Sequence, residues 1–324
     1  MEQKKLVTIL TPAYNEEDVL PLLYDRLVKL MNEQVNYDFE VLIVNDGSKD
    51  HTVELLEEFR KKDSRFNYLN LSRNYGKEIA MIAGLDYCKG DATIIIDADL
   101  QDPPELIPEM LHYWEEGYDD VYAKRRSRKG ESWLKKSTSK LYYRLLQKTT
   151  RIDIQKDTGD FRLLDRRCVE ALRAMRESQR YTKGLFSWIG YNKKAIEYDR
   201  DPRAAGHTKW NYRRLFNLSI DGFTSFTTAP LRWSAFIGIL ISFIGFLYML
   251  VIIFNTLFYG IDSPGYASTM VVILFLGGIQ LIFLGIIGEY LGRTFSEAKG
   301  RPLYFIDRYN ETREDNLHLN ERKF

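Results

Sequence analysis

Residues Ile94–Asp102 read IIIDADLQD. Three β-branched residues run straight into Asp97 and Asp99, and Pro103 and Pro104 follow shortly after. A short, wholly apolar run of this kind reads as a strand buried on both faces. Carboxylates at the end of such a strand are costly to desolvate unless a cation meets them. A divalent ion held by one or two carboxylates and by phosphate oxygens would do so. In open α/β sheets, ligands bind beyond the carboxyl ends of the strands. The stretch therefore predicts a sheet strand opening into a metal-assisted site for a phosphorylated ligand. A solvated acidic turn would give the same pattern, so the neighbouring segments must decide.

Upstream, the same arrangement recurs. Leu6–Leu10 is an apolar run ending in Thr11-Pro12-Ala13-Tyr14-Asn15-Glu16-Glu17, and Asn15 is placed to cap a helix from Glu16. Phe39–Val44 ends in Asn45-Asp46-Gly47-Ser48-Lys49-Asp50, with Ser48 or Asp50 as the cap of the next helix. Phe66–Leu71 runs into Arg73-Asn74-Tyr75-Gly76-Lys77 and a third helical pattern. Strand, polar turn and helix in alternation predict an α/β fold with a mostly parallel sheet. Glu16, Asp46 and Asp97/Asp99 then gather at one sheet edge. No G-x-G-x-x-G or G-x-x-x-x-G-K-[ST] is present, which disfavours dinucleotide and P-loop folds.

The second half of the chain changes solvent. Residues 233–258 and 269–291 are almost wholly apolar, each long enough to span a hydrocarbon core of about 30 Å as a helix. Between Trp233 and Gly292 the formal charges are Asp262 and Glu289 alone. Arg213, Arg214 and Arg232 precede the first span, and Arg293, Lys299 and Arg301 follow the second. The positive-inside rule thus puts both flanks, and both termini, in the cytoplasm. Gly277, Gly278, Gly285 and Gly288 give the second span a small-residue face suited to helix packing, so a homo-oligomer is plausible. The expected organisation is a cytoplasmic domain over 1–212, an interfacial segment over 213–232, two transmembrane helices within 233–292, and a cytoplasmic tail over 293–324. Within the first domain, residues 132–148 pattern as a basic amphipathic helix able to lie on an anionic bilayer. Cys88 and Cys168 have no metal or disulfide spacing and suit a reducing compartment. A net charge of +1 over 324 residues carries no nucleic-acid footprint.

PAYNEE, VNDGS, DADLQDPPE and TGDFRLLD, then GHTKWNY and GEYLGR, together resemble the inverting family 2 glycosyltransferases of GT-A fold, specifically those acting on polyprenyl phosphates. The resemblance spans about residues 5–305. It is similar to the bactoprenol glucosyltransferases, and more distantly to dolichyl-phosphate mannose synthase. It implies a Rossmann-like GT-A domain, a UDP-sugar donor, most simply UDP-glucose, and undecaprenyl phosphate as acceptor at a bacterial inner membrane. It also implies Mg2+ or Mn2+. Pro12, Ala13, Tyr14, Glu16, Asp46, Lys77 and Asp97 would contact the nucleotide sugar. Asp97, Asp99 and Gln101 would surround the metal, and Asp160 would lie beside the sugar and acceptor. Arg125, Arg126, Arg128 and Lys209 would attract acceptor phosphate.

The residues leave alternatives open. Asp160 could instead pair with Arg162 or cap the next helix, and Lys209 could snorkel beside Trp210. Another donor (UDP-N-acetylglucosamine, UDP-galactose or GDP-mannose) would serve the same motifs. A non-catalytic membrane scaffold would not need both metal carboxylates. The Q-x-x-R-W motif of processive synthases is absent around Gln179–Lys183, which argues for transfer of one sugar.

Overall fold

The computed structural model describes residues 4–126, 155, 158–178, 180–199, 227–259 and 265–313. Arg128, Lys209, the basic stretch 132–148 and most of the interfacial segment lie outside these. The chain divides into two compact units, Met1–Ser219 with Arg301–Phe324, and Ile220–Gly300.

The first unit is built on one sheet, whose strands among the described residues are β1 (Leu6–Ala13), β2 (Asp38–Asn45), β3 (Phe66–Leu71), β4 (Ala92–Ile95), β5 (Asp120–Arg125), β6 (Thr158–Asp165), β7 (Lys193–Tyr198), β8 (Ile306–Tyr309) and β9 (Thr312–Arg313). Their order is β7-β5-β6-β4-β1-β2-β3-β8-β9. The four strands read first from sequence form the parallel core, with β1 between β2 and β4 and β3 beyond β2. Parallel strands need crossover helices on the sheet faces. These are α1 (Leu20–Glu33), α2 (Thr52–Lys62), α3 (Lys77–Tyr87) and α4 (Ile107–Glu115). After β3 the chain crosses back to the far side of β1. The gap between β1 and β4 is thus the topological switch point where such sheets bind ligands. Antiparallel β6 then lies against β4, with Ile95 opposite Arg162. Continuing that register by two residues sets Asp160 opposite Asp97.

Burial explains the elements. β1 is buried from Val7 to Ala13, as a strand covered on both faces must be. α1 buries Leu20, Leu23, Leu27, Leu30 and Met31, a helical stripe at three- and four-residue steps. A methyl group on Gly84 of α3 would lie 2.2 Å from Leu10 Cδ1 and 2.9 Å from Val44 Cγ2. Glycine there lets the helix settle directly onto the sheet. The carboxyl end of α3 is held by arginines from α5 (Arg166–Ala174). Arg173 Nε donates to Leu85 O at 2.6 Å, and Arg166 Nη1 to Cys88 O at 3.0 Å, a favourable use of cations. Cys88 and Cys168 are both buried and free.

Three local expectations are corrected. α1 begins at Leu20, not Glu16, because Asn15 adopts a left-handed backbone (φ 54°) and its side-chain oxygen accepts Lys49 N at 2.9 Å. Ser48 does not cap α2; it accepts Asn15 N at 2.9 Å, while Asp50 takes Thr52 N at 3.2 Å. Finally, residues 301–313 are not a tail. Tyr304 and Ile306 are buried, and β8 runs antiparallel to β3. Asn310 (φ 51°) turns β8 into β9, and its Oδ1 accepts Tyr68 N at 2.9 Å.

The second unit holds α7 (Ala229–Tyr259) and α8 (Tyr266–Ala298). At 1.5 Å per residue their 31 and 33 residues extend about 46 and about 50 Å. Both are long and apolar enough to cross a membrane, and no part of either apolar window is buried inside the protein. A soluble core helix would bury that surface. Tyr290 OH donates to Thr227 O at 2.6 Å. A methyl group on Gly277, Gly278, Gly285 or Gly288 would meet nothing within 4 Å.

Candidate active site

The loops after β1, β2 and β3 are bound to one another at the carboxyl edge of the sheet. Asp46, at the end of β2, is buried. Its Oδ1 accepts Tyr75 N at 2.7 Å and its Oδ2 accepts Gly76 N at 2.8 Å. Burial pushes the Asp46 carboxyl above its usual range, against those amides and nearby Arg73. Gly47 follows with φ 65°, and a methyl group there would lie 2.5 Å from the Arg73 carbonyl carbon. The VNDGS motif thus lets the loop before α3 pass closely over the β2 turn. Thr52 Oγ1 accepts Glu16 N at 3.1 Å, fixing the loop after β1 against α2. Pro12 and Ala13 are the last residues of β1 and pair with Val44 and Asn45, and Tyr14 and Glu16 continue that edge.

Lys77, the first residue of α3, brings the acids together. Its ammonium lies 2.6 Å from Asp97 Oδ1 and 2.5 Å from Asp160 Oδ2. Burial opposes the charge, but Asp160 and Asp97 hold the Lys77 ammonium above its ordinary range. Burial likewise opposes ionisation of Asp160, and Lys77 and then Lys183 outweigh it, keeping that carboxyl well below the carboxylate range. Glu78 stands behind: burial and the Asp160 charge raise it, while the Thr182 hydroxyl donates to its Oε2. Thr182 and Lys183 open α6 (Thr182–Trp188), and Lys183 Nζ donates to Thr158 O at 3.2 Å.

Both structural alternatives for Asp160 are taken by other residues. Arg162 is buried and pairs with Asp120, Nη1 to Oδ2 at 3.0 Å, with Phe186 stacked 3.7 Å from its guanidinium. The cap of α5 is Asp165, which accepts Arg167 N at 2.9 Å. Asp160 is left facing Lys77.

The basic cluster separates by strand alternation. Arg125 is half-buried beside Asp102 and Gly159; a methyl group on Gly159 would lie 3.4 Å from Arg125 Nη2 and 3.7 Å from Asp102 Oδ2. The Tyr198 hydroxyl donates to Asp102 Oδ1. Arg126 points the other way, exposed, 3.8 Å from Asp199.

Among the described residues no three His, Cys, Asp or Glu side chains are grouped to hold a metal unaided. Asp97 and Asp99 nonetheless close one strand end, and the Asp99 Oδ1 accepts Gln101 N at 3.2 Å. Asp160 Oδ1 is buried and receives no hydrogen bond. This oxygen set fits a hard ion that takes one or two carboxylates and fills its shell with phosphate and water. Leu100 holds φ 55° between Asp99 and Gln101, a strained conformation of the kind found at ligand sites.

Sequence reading missed Glu78, Asp102, Thr182, Lys183 and Tyr198. Asp102 ends the IIIDADLQD stretch, and Glu78 carried a signal as the acid following Lys77 at a helix start. The others reach the site through strand pairing and helix docking, which no local pattern encodes.

Residues 8–173 match the model of glycosyl transferase family 2, and residues 229–294 match the GtrB C-terminal hairpin. An uncharacterised glycosyltransferase of Synechocystis is 50% identical over 300 residues, covering 93% of this chain and 94% of that protein. A prophage bactoprenol glucosyl transferase homolog of Escherichia coli is 42% identical, covering 93% of this chain and 98% of that protein. Among solved structures, glucosyl-3-phosphoglycerate synthase from Mycobacterium tuberculosis aligns with TM-score 0.47 and 18% identity over 68% of this chain and 78% of that one.

Proposed function

Because the chain belongs to glycosyl transferase family 2, with a GT-A catalytic domain followed by a GtrB-type hairpin, we propose that it is an inverting, metal-dependent transferase moving glucose from UDP-glucose to undecaprenyl phosphate. One observation carries this reading. The two parts occur together in relatives named bactoprenol glucosyl transferases, which match at 42% identity over 93% of the chain.

The site's residues supply what the reaction needs. A lipid phosphate monoester has a second pKa of about 6, so its oxygen is already anionic near neutral pH. It attacks the anomeric carbon, and the bond from that carbon to the UDP oxygen breaks on the opposite side. No proton needs removing, so Asp160 serves by position and charge rather than as an obligatory base. Asp97 and Asp99 would hold the ion, with Gln101 beside them. When bound, that ion stabilises the negative charge on the departing diphosphate. Arg125, half-buried beside Gly159 next to Asp160, is better placed for the acceptor phosphate than Arg126, which faces Asp199. Arg128 and Lys209 keep the same assignment from the family motif. Pro12, Ala13, Tyr14 and Glu16 line the nucleotide side, and Asp46 acts there chiefly by shaping the loop before Lys77. The apolar helices would keep the chain at the membrane that holds its lipid substrate, with the reaction on the cytoplasmic side of the inner membrane.

Asp99→Asn tests the metal role. The variant is expected to reach the membrane at wild-type levels and to lose transfer. More than a few per cent of wild-type activity would contradict it.

A further inference from the structure

The ammonium of Lys77 sits on one of the two carboxylates that the proposed ion would need, Asp97, and on its neighbour Asp160. It lies 2.6 Å from Asp97 Oδ1 and 2.5 Å from Asp160 Oδ2. Its side chain is 41% exposed, whereas that of Asp160 is 10% exposed, so the cation lies on the solvent side of the carboxylate. Two carboxylates grip one lysine, and the buried Glu78 feels the Asp160 charge as well. Like charges so close would otherwise disfavour ionisation.

An ammonium and a divalent ion cannot share this place. A metal–oxygen bond of about 2.0–2.1 Å would put the ion against the Lys77 nitrogen. Lysine carries a compact charge on a flexible stem, and Lys77 starts a helix at the edge where the nucleotide loops meet. A group able to receive its charge is the diphosphate of the nucleotide.

We propose that Lys77 is a resident counter-cation: it holds Asp97 and Asp160 in the ligand-free enzyme, yields Asp97 to the metal, and turns to the nucleotide diphosphate. Metal and nucleotide therefore enter as a coupled pair, and metal alone binds poorly. This rests on the metal reading of Asp97 and Asp99 given above.

The test needs no turnover. Mn2+ is titrated into the full-length protein in detergent, and the EPR signal of free Mn2+ reports binding, with and without UDP. Wild type and Lys77→Arg are expected to bind Mn2+ weakly alone and about tenfold or more tightly with UDP, a coupling of ordinary size. Lys77→Met should bind Mn2+ alone several-fold more tightly than wild type, and UDP should add little. Lys77→Gln serves as a second neutral variant should the methionine form fail to fold. A neutral variant whose nucleotide-free Mn2+ affinity equals or falls below wild type overturns the counter-cation. Absence of Mn2+ binding by every form, even with UDP, overturns the metal reading and the proposal with it.

Discussion

A methyl group on Gly47 meets two obstacles: the left-handed backbone, and the Arg73 and Asn74 backbone at 2.5 and 2.7 Å. The first costs about 1–2 kcal/mol for a non-glycine residue. The second forces apart the loops that Asp46 ties together. Gly47→Ala should lower the melting temperature clearly and weaken nucleotide binding. Gly117→Ala is the control, because Gly117 shares positive φ but a methyl there meets nothing within 4 Å. Equal losses in both variants would show that the close approach contributes nothing. At this scale much of the site was legible. Asp97, Asp99 and Asp46 declare themselves as acids closing apolar runs, and Asp160 stands in a motif. The partner of Asp160 was not legible, because Lys77 lies 83 positions away and only the pairing of β4 with β6 brings it near.

Among the elements, β5 and β6 are joined by a buried ion pair that is costly to break. Arg162 and Asp120 are 1% and 0% exposed. Burial raises the Asp120 carboxyl against the pull of Arg162, so the pair survives on geometry. Removing one partner leaves the other charge buried and uncompensated, at about 3–5 kcal/mol. Asp120→Asn should destabilise the detergent-solubilised protein by that order in chemical denaturation. Asp120→Asn with Arg162→Met should recover much of the loss. A single variant as stable as wild type would remove the pair from the account. The parallel strands and α1 to α3 follow from periodicity and turn chemistry in the sequence. β8 does not, because a four-residue strand with one buried apolar residue, Ile306, has no period to detect. Its position comes from long-range contacts alone: the Tyr304 hydroxyl on Asp86 at 2.6 Å, and Asn310 on Tyr68.

That returning strand constrains the whole molecule. β8 follows the apolar helices in the chain, yet it hydrogen-bonds to β3 of the catalytic sheet. Residues before and after the hairpin must therefore lie on one side of any membrane that it crosses, and the number of crossings must be even. Cys88 and Cys168 are buried, so an introduced cysteine reports accessibility with little background. In intact cells stripped of outer barriers, Asp262→Cys should react with a membrane-impermeant maleimide and Lys299→Cys should not. Labelling of Lys299→Cys alone would invert the orientation, and labelling of both would deny the crossing.

The central claim is sugar transfer to a lipid phosphate. It is tested most directly with purified protein, short-chain polyprenyl phosphate, Mg2+ or Mn2+, and labelled UDP-glucose beside UDP-N-acetylglucosamine, UDP-galactose and GDP-mannose. Label from UDP-glucose is predicted to move into the organic phase as a polyprenyl-phosphate monosaccharide, and to stop moving when the metal is chelated. Transfer from a different donor would replace the sugar and leave the reaction standing. No transfer from any donor, by protein that still binds UDP, would contradict the account.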